Sequence, residues 1–550
     1  MSQPSKFEWQ IGPKRRAITA FLLACCLLAP AMVHAQRACE NLTALTLADT
    51  TITDAKEVPA GPMKLMKVSI LPSPASVDLP EFCKVLGTIK PVPDSEIRFE
   101  IWMPVSGWNG RFLQMGNAGF NGPVLPLFLT RGLEEHFAVA GTNNGHQEMG
   151  GSFAIGHPEK VTDFAYRAVH LTAERAKDVI KAFYGRSQQH AYFNGCSEGG
   201  REALMEAQRY PEDFDGIISG DPGHFWNHLF FAGIWDSRAF QDDPASYLPP
   251  AKVELVQKAI LSACDELDGV KEGIISDPQR CHFDPGALLC KDDATEACLT
   301  APQVAALKKL YSGPANPRTG ERINYGLEPG VNLAAFSIVP GAAKAPNNAD
   351  FFFRGMVFED NKWDSRNLNF DEDVRLTDKK LTILDATNPD LTSFRKHGGK
   401  LIHYHGWIDP GVPPMTSVAY FESVEVKMGG LKNTTDFYRL FMVPGMNHCF
   451  GGPGPNSFGN ILTPDPQQPN DENDIQRALV RWVEKGVPPD KIIATKFIDD
   501  DSAKGVVMTR VLCPYPQVAK WTGKGDVKSA DNFVCRAPEK ENESKSRPGR

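Results

Sequence analysis

Residues 191–209, AYFNGCSEGGREALMEAQR, decide the fold. The apolar run 191–194 predicts a strand, and 199–209 predicts a helix. The turn between them, Gly195-Cys196-Ser197-Glu198-Gly199, fits Gly-x-Ser-x-Gly, the pattern of a nucleophile elbow. Glycine suits this sharp turn because a Cβ there is crowded, and the helix start offers N–H groups and a positive dipole end to an oxyanion. The competing interpretation is that Ser197 only caps the helix.

Strand and helix patterns alternate on both sides of this turn. A period-two pattern spans 97–104, and apolar positions recur at helical spacing over 164–183. Such alternation predicts an α/β fold with a mostly parallel sheet and helices on both faces. Further strands are predicted at 111–115, 137–140, 217–218, 401–404 and 440–443.

The alternation breaks over residues 224–394, which are rich in Pro, Asn, Asp and aromatic residues. We interpret this segment as an inserted second domain, or lid, within a catalytic core formed by residues 36–223 and 395–539. Residues 540–550 are polar and charged, which predicts a disordered tail.

A serine nucleophile needs a base, because its hydroxyl is a weak nucleophile at neutral pH. In α/β-hydrolases the order along the chain is serine, acid, histidine. Asp409, in YHGWIDP (404–410), follows one predicted strand, and His448, in PGMNHC (444–449), follows the next. We therefore predict that His448 takes the Ser197 proton and passes it to the leaving alkoxide, while Asp409 orients the imidazole and stabilises its charged form.

Four other histidines are candidates for different roles. His403 and His405 lie two apart on a predicted strand and could bind a metal, but the lack of a third ligand nearby favours packing or substrate contact. His224 and His228 share a predicted helix face at i, i+4, without the glutamate of the zinc-protease motif His-Glu-x-x-His. We expect that pair to be structural or to lie near the mouth of the active site.

Composition and the N-terminus indicate an exported globular protein. The 550 residues carry a formal charge of −8 without a basic stripe, which disfavours nucleic acid as a partner.

Residues 1–35 combine Lys14-Arg15-Arg16, an apolar run and small residues, as a secretory signal peptide does. The alternatives are a membrane anchor, for which the run is short and broken by Pro30, and lipoprotein attachment at Cys25. We expect a secreted or periplasmic protein without a membrane span.

Ten cysteines lie outside the predicted signal peptide, and an even number in an exported chain predicts disulfide bonds. No Cys-x-x-Cys pair occurs among them, which argues against a structural zinc site. The spacing allows local bridges for Cys264–Cys281, Cys290–Cys298 and Cys513–Cys535.

Residues 264–274, CDELDGVKEGI, contain four carboxylates, with glycines after Asp268 and Glu272. Hard cations such as Ca²⁺ take oxygen ligands, and glycine lets backbone carbonyls turn inward. Because the residue order of an EF-hand is missing, the pattern is compatible with a calcium loop and with a solvated acidic loop.

Together, the blocks GCSEGGR (195–201), YHGWIDP (404–410) and PGMNHC (444–449) resemble the tannase and feruloyl esterase family, which includes mono-hydroxyethyl terephthalate hydrolase. The similarity runs through residues 39–538. The resemblance implies an α/β-hydrolase core with a large inserted lid. It also implies a serine carboxylic-ester hydrolase that acts on small esters of aromatic acids and needs no organic cofactor.

The resemblance further implies roles for individual residues. Cys196 and Cys449 match cysteines that are bridged in the family, and a Cys39–Cys83 bridge completes five with the three local pairs. Segments 108–112 and 116–119 resemble the oxyanion-hole loop, with the N–H groups of Gly119 and Glu198 as donors. A structural calcium ion is implied in the acidic loop, although relatives commonly have Asp at position 272. Its ligands would be Asp265, Asp268, the Val270 carbonyl, Glu272 and the Ile274 carbonyl.

Among the activities of this family we rank feruloyl esterase first, then tannase, then terephthalate monoester hydrolase. Residues 352–358 followed by Trp363-Asp364 resemble the general lid pattern of feruloyl esterases and tannases. A catalytically silent binding protein is the non-enzyme alternative, which the presence of all three triad residues disfavours. Aromatic residues of the insert could stack on planar acids, although a place in the lid core is the expected role for any one of them. They are Phe351, Phe352, Phe353, Phe358, Trp363 and Phe370.

Overall fold

The computed structural model describes residues 38–538 except 66–75, 292–295, 335–347, 465 and 467. The predicted signal peptide with Cys25 and the predicted tail at 540–550 lie outside the described residues. Within the described part of the chain, no helix combines the length and the apolar character needed to cross a bilayer.

The described residues form fifteen strands and thirteen α-helices. The strands are β1 Thr50–Val58, β2 Gly61–Lys64, β3 Ser76–Leu79, β4 Phe82–Ile89, β5 Ile97–Pro104, β6 Arg111–Met115, β7 Ala138–Thr142, β8 His190–Cys196, β9 Gly216–Gly220, β10 Lys400–Gly406, β11 Tyr438–Val443, β12 Ile492–Phe497, β13 Val506–Leu512, β14 Val518–Trp521 and β15 Phe533–Arg536. The helices are α1 Pro126–Glu134, α2 Pro158–Thr162, α3 Ala168–Tyr184, α4 Glu198–Arg209, α5 Trp226–Gln241, α6 Pro250–Cys264, α7 Ala301–Ser312, α8 Asn348–Phe352, α9 Glu372–Leu381, α10 Thr392–His397, α11 Met415–Met428, α12 Leu431–Thr435 and α13 Ile475–Lys485.

Nine of these strands form one sheet in the order β1-β4-β5-β7-β6-β8-β9-β10-β11. All neighbours from β7 to β11 pair in parallel, whereas β1, β4 and β5 pair antiparallel at one edge. The other strands form three small antiparallel sheets, β2–β3, β12–β13 and β14–β15. The prediction of a mostly parallel sheet is therefore confirmed for the part that carries Ser197.

Both faces of the parallel part are buried. Successive strand residues point to opposite faces, so Phe193 belongs to one hydrophobic core and Tyr192 to the other, and Ile217 and Ile218 divide in the same way. Helices α3, α4 and α11 pack on the first core, and α1 and α13 pack on the second. This layered arrangement is the α/β fold that the strand–helix alternation predicted, and it agrees with the α/β-hydrolase core that the family resemblance implies.

The described residues between β9 and β10 add no strand to the main sheet and contain α5 to α10. They pack around two hydrophobic clusters, one of which is built on α6 and α7. The other is rich in aromatic rings and includes Phe120 and Phe164 from the core. This segment covers residues 224–394, and its interpretation as an inserted domain or lid stays a prediction.

The described residues form five disulfide bonds, and their pairing agrees with the one implied by the family resemblance. They are Cys39–Cys83, Cys196–Cys449, Cys264–Cys281, Cys290–Cys298 and Cys513–Cys535.

Candidate active site

Ser197 lies at the turn between β8 and α4, where its backbone has a positive φ of 67° with ψ −117°. Such a conformation is strained for a residue with a Cβ and is found mainly at functional sites. The turn is tight, because a Cβ at Gly195 would lie 2.4 Å from the Gly199 carbonyl oxygen. The N–H of Ser197 donates to the Gly220 carbonyl oxygen at 2.9 Å, which ties the turn to the end of β9.

Asp409 and His448 come together in the loops that follow β10 and β11. The Nδ1 atom of His448 lies 2.6 Å from Oδ2 of Asp409. Asp409 is fully buried, and its Oδ1 accepts the N–H groups of Gly411 and Val412 at 2.7 and 2.9 Å. The carboxylate is thus fixed by its own loop, and with Nδ1–H donating to it, Nε2 is the basic nitrogen of the His448 ring.

Two histidines control the charge of Asp409. Burial alone would raise the pKa of its carboxyl, but the charge of His448 and hydrogen bonds from His405 and His448 hold that pKa below its ordinary value. An ionised aspartate stabilises an imidazolium beside it, so the pair suits a histidine that gains a proton during a reaction.

A disulfide bond joins the neighbours of Ser197 and His448. Cys196 ends β8, Cys449 follows His448, and their Cα atoms lie 6.0 Å apart. The bridge therefore holds the serine turn and the histidine loop at a fixed separation. These loops lie at the carboxyl ends of parallel strands, where α/β sheets bind their ligands.

The predicted oxyanion donors belong to the serine turn and to the loop that follows β6. Glu198 is the first residue of α4, so its N–H has no carbonyl four residues earlier in the helix to bind. Gly119 follows β6 and has φ 53°. Its loop is tied to α4, because the N–H of Gly199 donates to the Asn117 carbonyl oxygen at 3.0 Å, and the Asn117 N–H donates to Glu202 Oε2 at 3.0 Å.

A buried ion pair, which the sequence analysis missed, stabilises the start of α4. Arg201 has no exposed surface and pairs with the Glu198 carboxylate. Its guanidinium also donates to the carbonyl oxygens of Phe164, Ala165 and Leu384 at 2.7 to 3.2 Å. A planar guanidinium can donate several hydrogen bonds at once. Arg201 therefore connects α4 to the backbone of Leu384, near the end of segment 224–394.

His403 and His405 share one face of β10, as predicted, and both contact the Ser417 hydroxyl. The oxygen lies 2.8 Å from His403 Nε2 and 2.6 Å from His405 Nδ1. The remaining ring nitrogens contact the Tyr438 hydroxyl at 2.8 Å and the Val412 carbonyl oxygen at 3.1 Å. All four nitrogens therefore serve hydrogen bonds, which favours the packing role over the metal role.

His224 and His228 do not share a helix face, so that prediction was wrong. Helix α5 begins at Trp226, and the buried His224 lies before it. The ring nitrogens of His228 contact the Ile323 carbonyl oxygen at 2.6 Å and Asp378 Oδ1 at 2.9 Å. The helix starts too late to align the two rings, and His228 has a structural role.

The aromatic residues of the insert form a packed cluster. Phe352 and Phe353 are fully buried, which confirms the core role for these two. The ring of Phe120, the residue after Gly119, lies 6.3 Å from the ring of Phe351. The cluster therefore reaches the segment that carries a predicted oxyanion donor. Phe358, Trp363 and Phe370 are partly buried against the same cluster.

The acidic loop is a compact turn organised by Asp265. The Asp265 carboxylate accepts the N–H groups of Glu272, Gly273 and Ile274 at 2.9 to 3.3 Å. This contact draws the second half of the loop back onto the end of α6, next to the Cys264–Cys281 bridge.

Two carboxylate oxygens in this loop have no hydrogen-bond partner within the described residues. They are Oδ2 of Asp268 and Oε2 of Glu272, and both are buried. The other Glu272 oxygen accepts from Arg510 Nη2 at 2.6 Å. Buried oxygens without partners are costly, and a hard cation such as Ca²⁺ would satisfy these two.

Comparison with known proteins identifies the family to which this chain belongs. Residues 83–536 match the family described as tannase and feruloyl esterase. The chain is 41% identical over 532 residues to an uncharacterized esterase of Xanthomonas campestris, covering 91% of each chain. It is 34% identical over 462 residues to a probable feruloyl esterase B-2 of Neosartorya fischeri, covering 83% of this chain and 86% of the relative.

A solved structure shares the whole architecture. Feruloyl esterase B from Aspergillus oryzae superposes with a TM-score of 0.82 at 30% identity, and the match covers 90% of this chain and 99% of that one. This chain therefore belongs to the tannase and feruloyl esterase family and is a carboxylic ester hydrolase.

Proposed function

We propose that Ser197, His448 and Asp409 form the catalytic triad of this esterase. The observation that carries the proposal is the 2.6 Å contact between His448 Nδ1 and Asp409 Oδ2, beside a disulfide that tethers the histidine loop to the serine turn. The strained backbone at Ser197 supports the same role, since a fold retains such strain mainly where function requires it.

In the proposed reaction, Ser197 Oγ attacks the ester carbonyl carbon while His448 Nε2 takes the hydroxyl proton. The N–H groups of Gly119 and Glu198 stabilise the oxyanion. His448 then gives the proton to the departing alcohol, which leaves an acyl group on Ser197. A water molecule, deprotonated by the same ring, releases the acid and restores the serine.

The proposed acyl group is a hydroxycinnamoyl group of the feruloyl type. Two of the similar proteins carry feruloyl esterase in their names. The aromatic cluster of the insert, which reaches the Gly119 segment, suits a planar acid, and the insert would act as a lid over it. Gallate esters and terephthalate monoesters are the competing substrates.

A structural calcium ion is part of the proposal. Asp265, Asp268, Glu272 and the carbonyls of Val270 and Ile274 would hold it, and the two unpartnered carboxylate oxygens support this assignment. The ion would neutralise the crowded carboxylates and stabilise the start of the insert.

We also propose export through residues 1–35, to the periplasm or the exterior. Five disulfide bonds support an oxidising compartment, since cytosolic proteins rarely keep them. Detection of the protein in fractionated cells, with and without residues 1–35, tests this part.

The catalytic proposal is tested on methyl ferulate, methyl gallate and a terephthalate monoester. We expect methyl ferulate to be hydrolysed fastest, and Ser197→Ala to lower kcat by at least about 10³-fold. Ser423→Ala, at an exposed serine of α11, is the matched control and retains activity. Equal turnover by Ser197→Ala and the parent would reject the triad, and a preference for methyl gallate would reassign the substrate.

A further inference from the structure

Asp221 is a buried aspartate that the proposed reaction does not use. It follows β9 and has a positive φ of 36°, which is uncommon for a residue with a Cβ. Its side chain has no exposed surface. Burial of a carboxyl group in a strained backbone costs free energy, so its contacts indicate what it contributes.

The Asp221 carboxyl contacts the strands and loops that carry the proposed triad. Its Oδ1 accepts the N–H of Gly406, the last residue of β10, at 2.9 Å. Its Oδ2 lies 3.6 Å from Cys196 Sγ, next to Ser197, and the N–H of Cys449 donates to the same carboxyl. One side chain thus touches the strand that leads to Asp409, the serine turn and the histidine loop.

Asp221 also faces the carboxylate of Asp409. One oxygen of each and Nε2 of His405 lie within 4.8 Å of one another. His405 Nε2 is 3.3 Å from Asp409 Oδ2 and 3.8 Å from Asp221 Oδ1. Two buried carboxylates this close do not both ionise, so the pair holds one proton.

The hydrogen bonds around Asp409 identify which partner holds this proton. Each carboxyl accepts two backbone N–H groups, but Asp409 also lies 2.6 Å from His448 Nδ1 and 3.3 Å from His405 Nε2, and these contacts stabilise its ionised form. The proton therefore belongs to Asp221, whose hydroxyl can donate to Asp409.

We propose that Asp221 is a positioning residue of the triad, a neutral carboxylic acid that donates a hydrogen bond to Asp409 and accepts N–H groups from Gly406 and Cys449. Burial and the charge of Asp409 raise the pKa of Asp221 well above its ordinary value, in agreement with this protonation state. The neutral Asp221 carboxyl holds the Asp409 carboxylate in position by a hydrogen bond. It leaves Asp409 with the negative charge that stabilises the protonated His448 ring. The inference rests on the proposed function, because it assigns Asp221 to the same three catalytic side chains.

The neighbours of Asp221 are consistent with a single negative charge at this place. From β10 and its loop it faces Asp409, His405 and Tyr404, and from β8 and the histidine loop it faces the Cys196–Cys449 bridge. Burial raises the pKa of the Tyr404 hydroxyl well above its ordinary value, so that group is neutral. Among these described neighbours, Asp409 carries the negative charge.

The test compares Asp221→Leu, which removes the hydrogen bonds, with Asp221→Asn, which keeps a neutral donor and an acceptor. We expect Asp221→Leu to lower kcat by about 10- to 100-fold with KM changed less than about threefold, since misplacing a catalytic group affects the chemical step. Asp221→Asn should restore kcat to within about threefold of the parent. Asp236→Leu is the control: Asp236 is also buried, but it lies on α5 in the insert, and kcat should stay within about twofold.

Either of two results would overturn the proposal: parental kcat in Asp221→Leu, or an equal loss in Asp221→Asn. If Asp221→Leu does not fold, the pH profile of Asp221→Asn decides. If the pKa that defines the acid limb of kcat/KM is the same as in the parent, the result supports a neutral Asp221. A decrease of that pKa by more than about half a unit contradicts the proposal, because an ionised Asp221, unlike a neutral one, would stabilise the imidazolium in the parent. Ser197→Ala is assayed in parallel, and activity there would reject the proposed triad rather than the role of Asp221 alone.

Discussion

Cys196 and Cys449 are bonded to each other across 253 residues of chain, and they are the direct neighbours of Ser197 and His448. The bond joins the end of β8 to the loop after β11, two strands that do not pair with each other in the sheet. The separation of the serine and the histidine therefore depends on a covalent link as well as on the sheet.

Replacing Cys196 and Cys449 together with alanine should lower both stability and activity. Loss of a bridge that closes so long a loop lowers the free energy of unfolding by about 3–5 kcal/mol. The histidine loop also loses its tether, so we expect kcat to fall by about tenfold or more. Thermal melts and initial rates on methyl ferulate measure the two effects.

The matched control is the Cys290–Cys298 bridge, which spans only 8 residues in the insert. Its removal should cost about 2 kcal/mol and leave kcat unchanged. Equal loss of kcat in both double variants would contradict a specific role for the bridge at the active site.

Ser197→Gly should be more stable than Ser197→Ala, and we expect neither variant to be active. The backbone at this position has φ 67° and ψ −117°, which glycine adopts without the clash that a Cβ brings. We expect a difference of about 1 kcal/mol in the free energy of unfolding, measured by denaturant titration. Equal stability of the two variants would show that the turn is not strained.

The parts of the fold that could be predicted are those whose pattern is local. Ile217 and Ile218 are both apolar because β9 is buried on both faces, and the motif around Ser197 fixes its own turn. Strand β1, TTITDAKEV, was missed because it forms the sheet edge and exposes many polar side chains. Its place is decided by pairing with β4, which local periodicity does not encode.

The same limit applies to the site. The candidate triad could be predicted because each member follows a predicted strand and the three occur in a fixed order along the chain. They are Ser197, Asp409 and His448. Asp221 lies in Gly-Asp-Pro, which in sequence is typical of an ordinary turn. Its role depends on Asp409, which lies far along the chain and comes close only through the pairing of β9 with β10.

Removal of calcium should lower the melting temperature and spare the chemistry of molecules that remain folded. Without a cation, the buried oxygens Asp268 Oδ2 and Glu272 Oε2 have no partner within the described residues, which costs free energy. We expect EDTA to lower the melting temperature by about 1–3 °C, which corresponds to about 1–3 kcal/mol for a chain of this length, and added Ca²⁺ to restore it. Differential scanning fluorimetry measures the shift.

Two variants distinguish the binding of a cation by the proposed ligands from a nonspecific effect of the negative charge of the loop. Asp268→Asn removes a proposed ligand and should abolish the response to EDTA. Glu266→Gln changes an exposed carboxylate of the same loop and should keep it. A melting temperature that does not respond to EDTA in the parent would remove the calcium proposal.

Acid should destabilise the protein through His146, which is buried and neutral. Burial lowers the pKa of His146 to about 4, against about 6.5 in the unfolded chain. Between these values the unfolded state binds more protons than the folded state, so stability rises with pH and is lost as pH falls from about 6.5 to about 4. The loss should reach about 2–4 kcal/mol at the lower end.

His146→Phe tests this assignment directly. The ring stacks on Phe153 with centroids 3.8 Å apart, its Nδ1 lies 3.1 Å from the Glu148 carbonyl oxygen, and its Nε2 is buried without a hydrogen-bond partner in the described structure. Phenylalanine keeps the stacking and loses the contact with Glu148 at every pH. We expect the variant to lose less stability between pH 7 and pH 4.5 in urea titrations. Phe153→Leu removes the stacking partner and keeps the titrating ring. Its free energy of unfolding should be lower than that of the parent at both pH values, with the same dependence on pH. A parental slope in His146→Phe would assign the acid sensitivity to other groups, because no proton uptake at residue 146 would then remain to explain it.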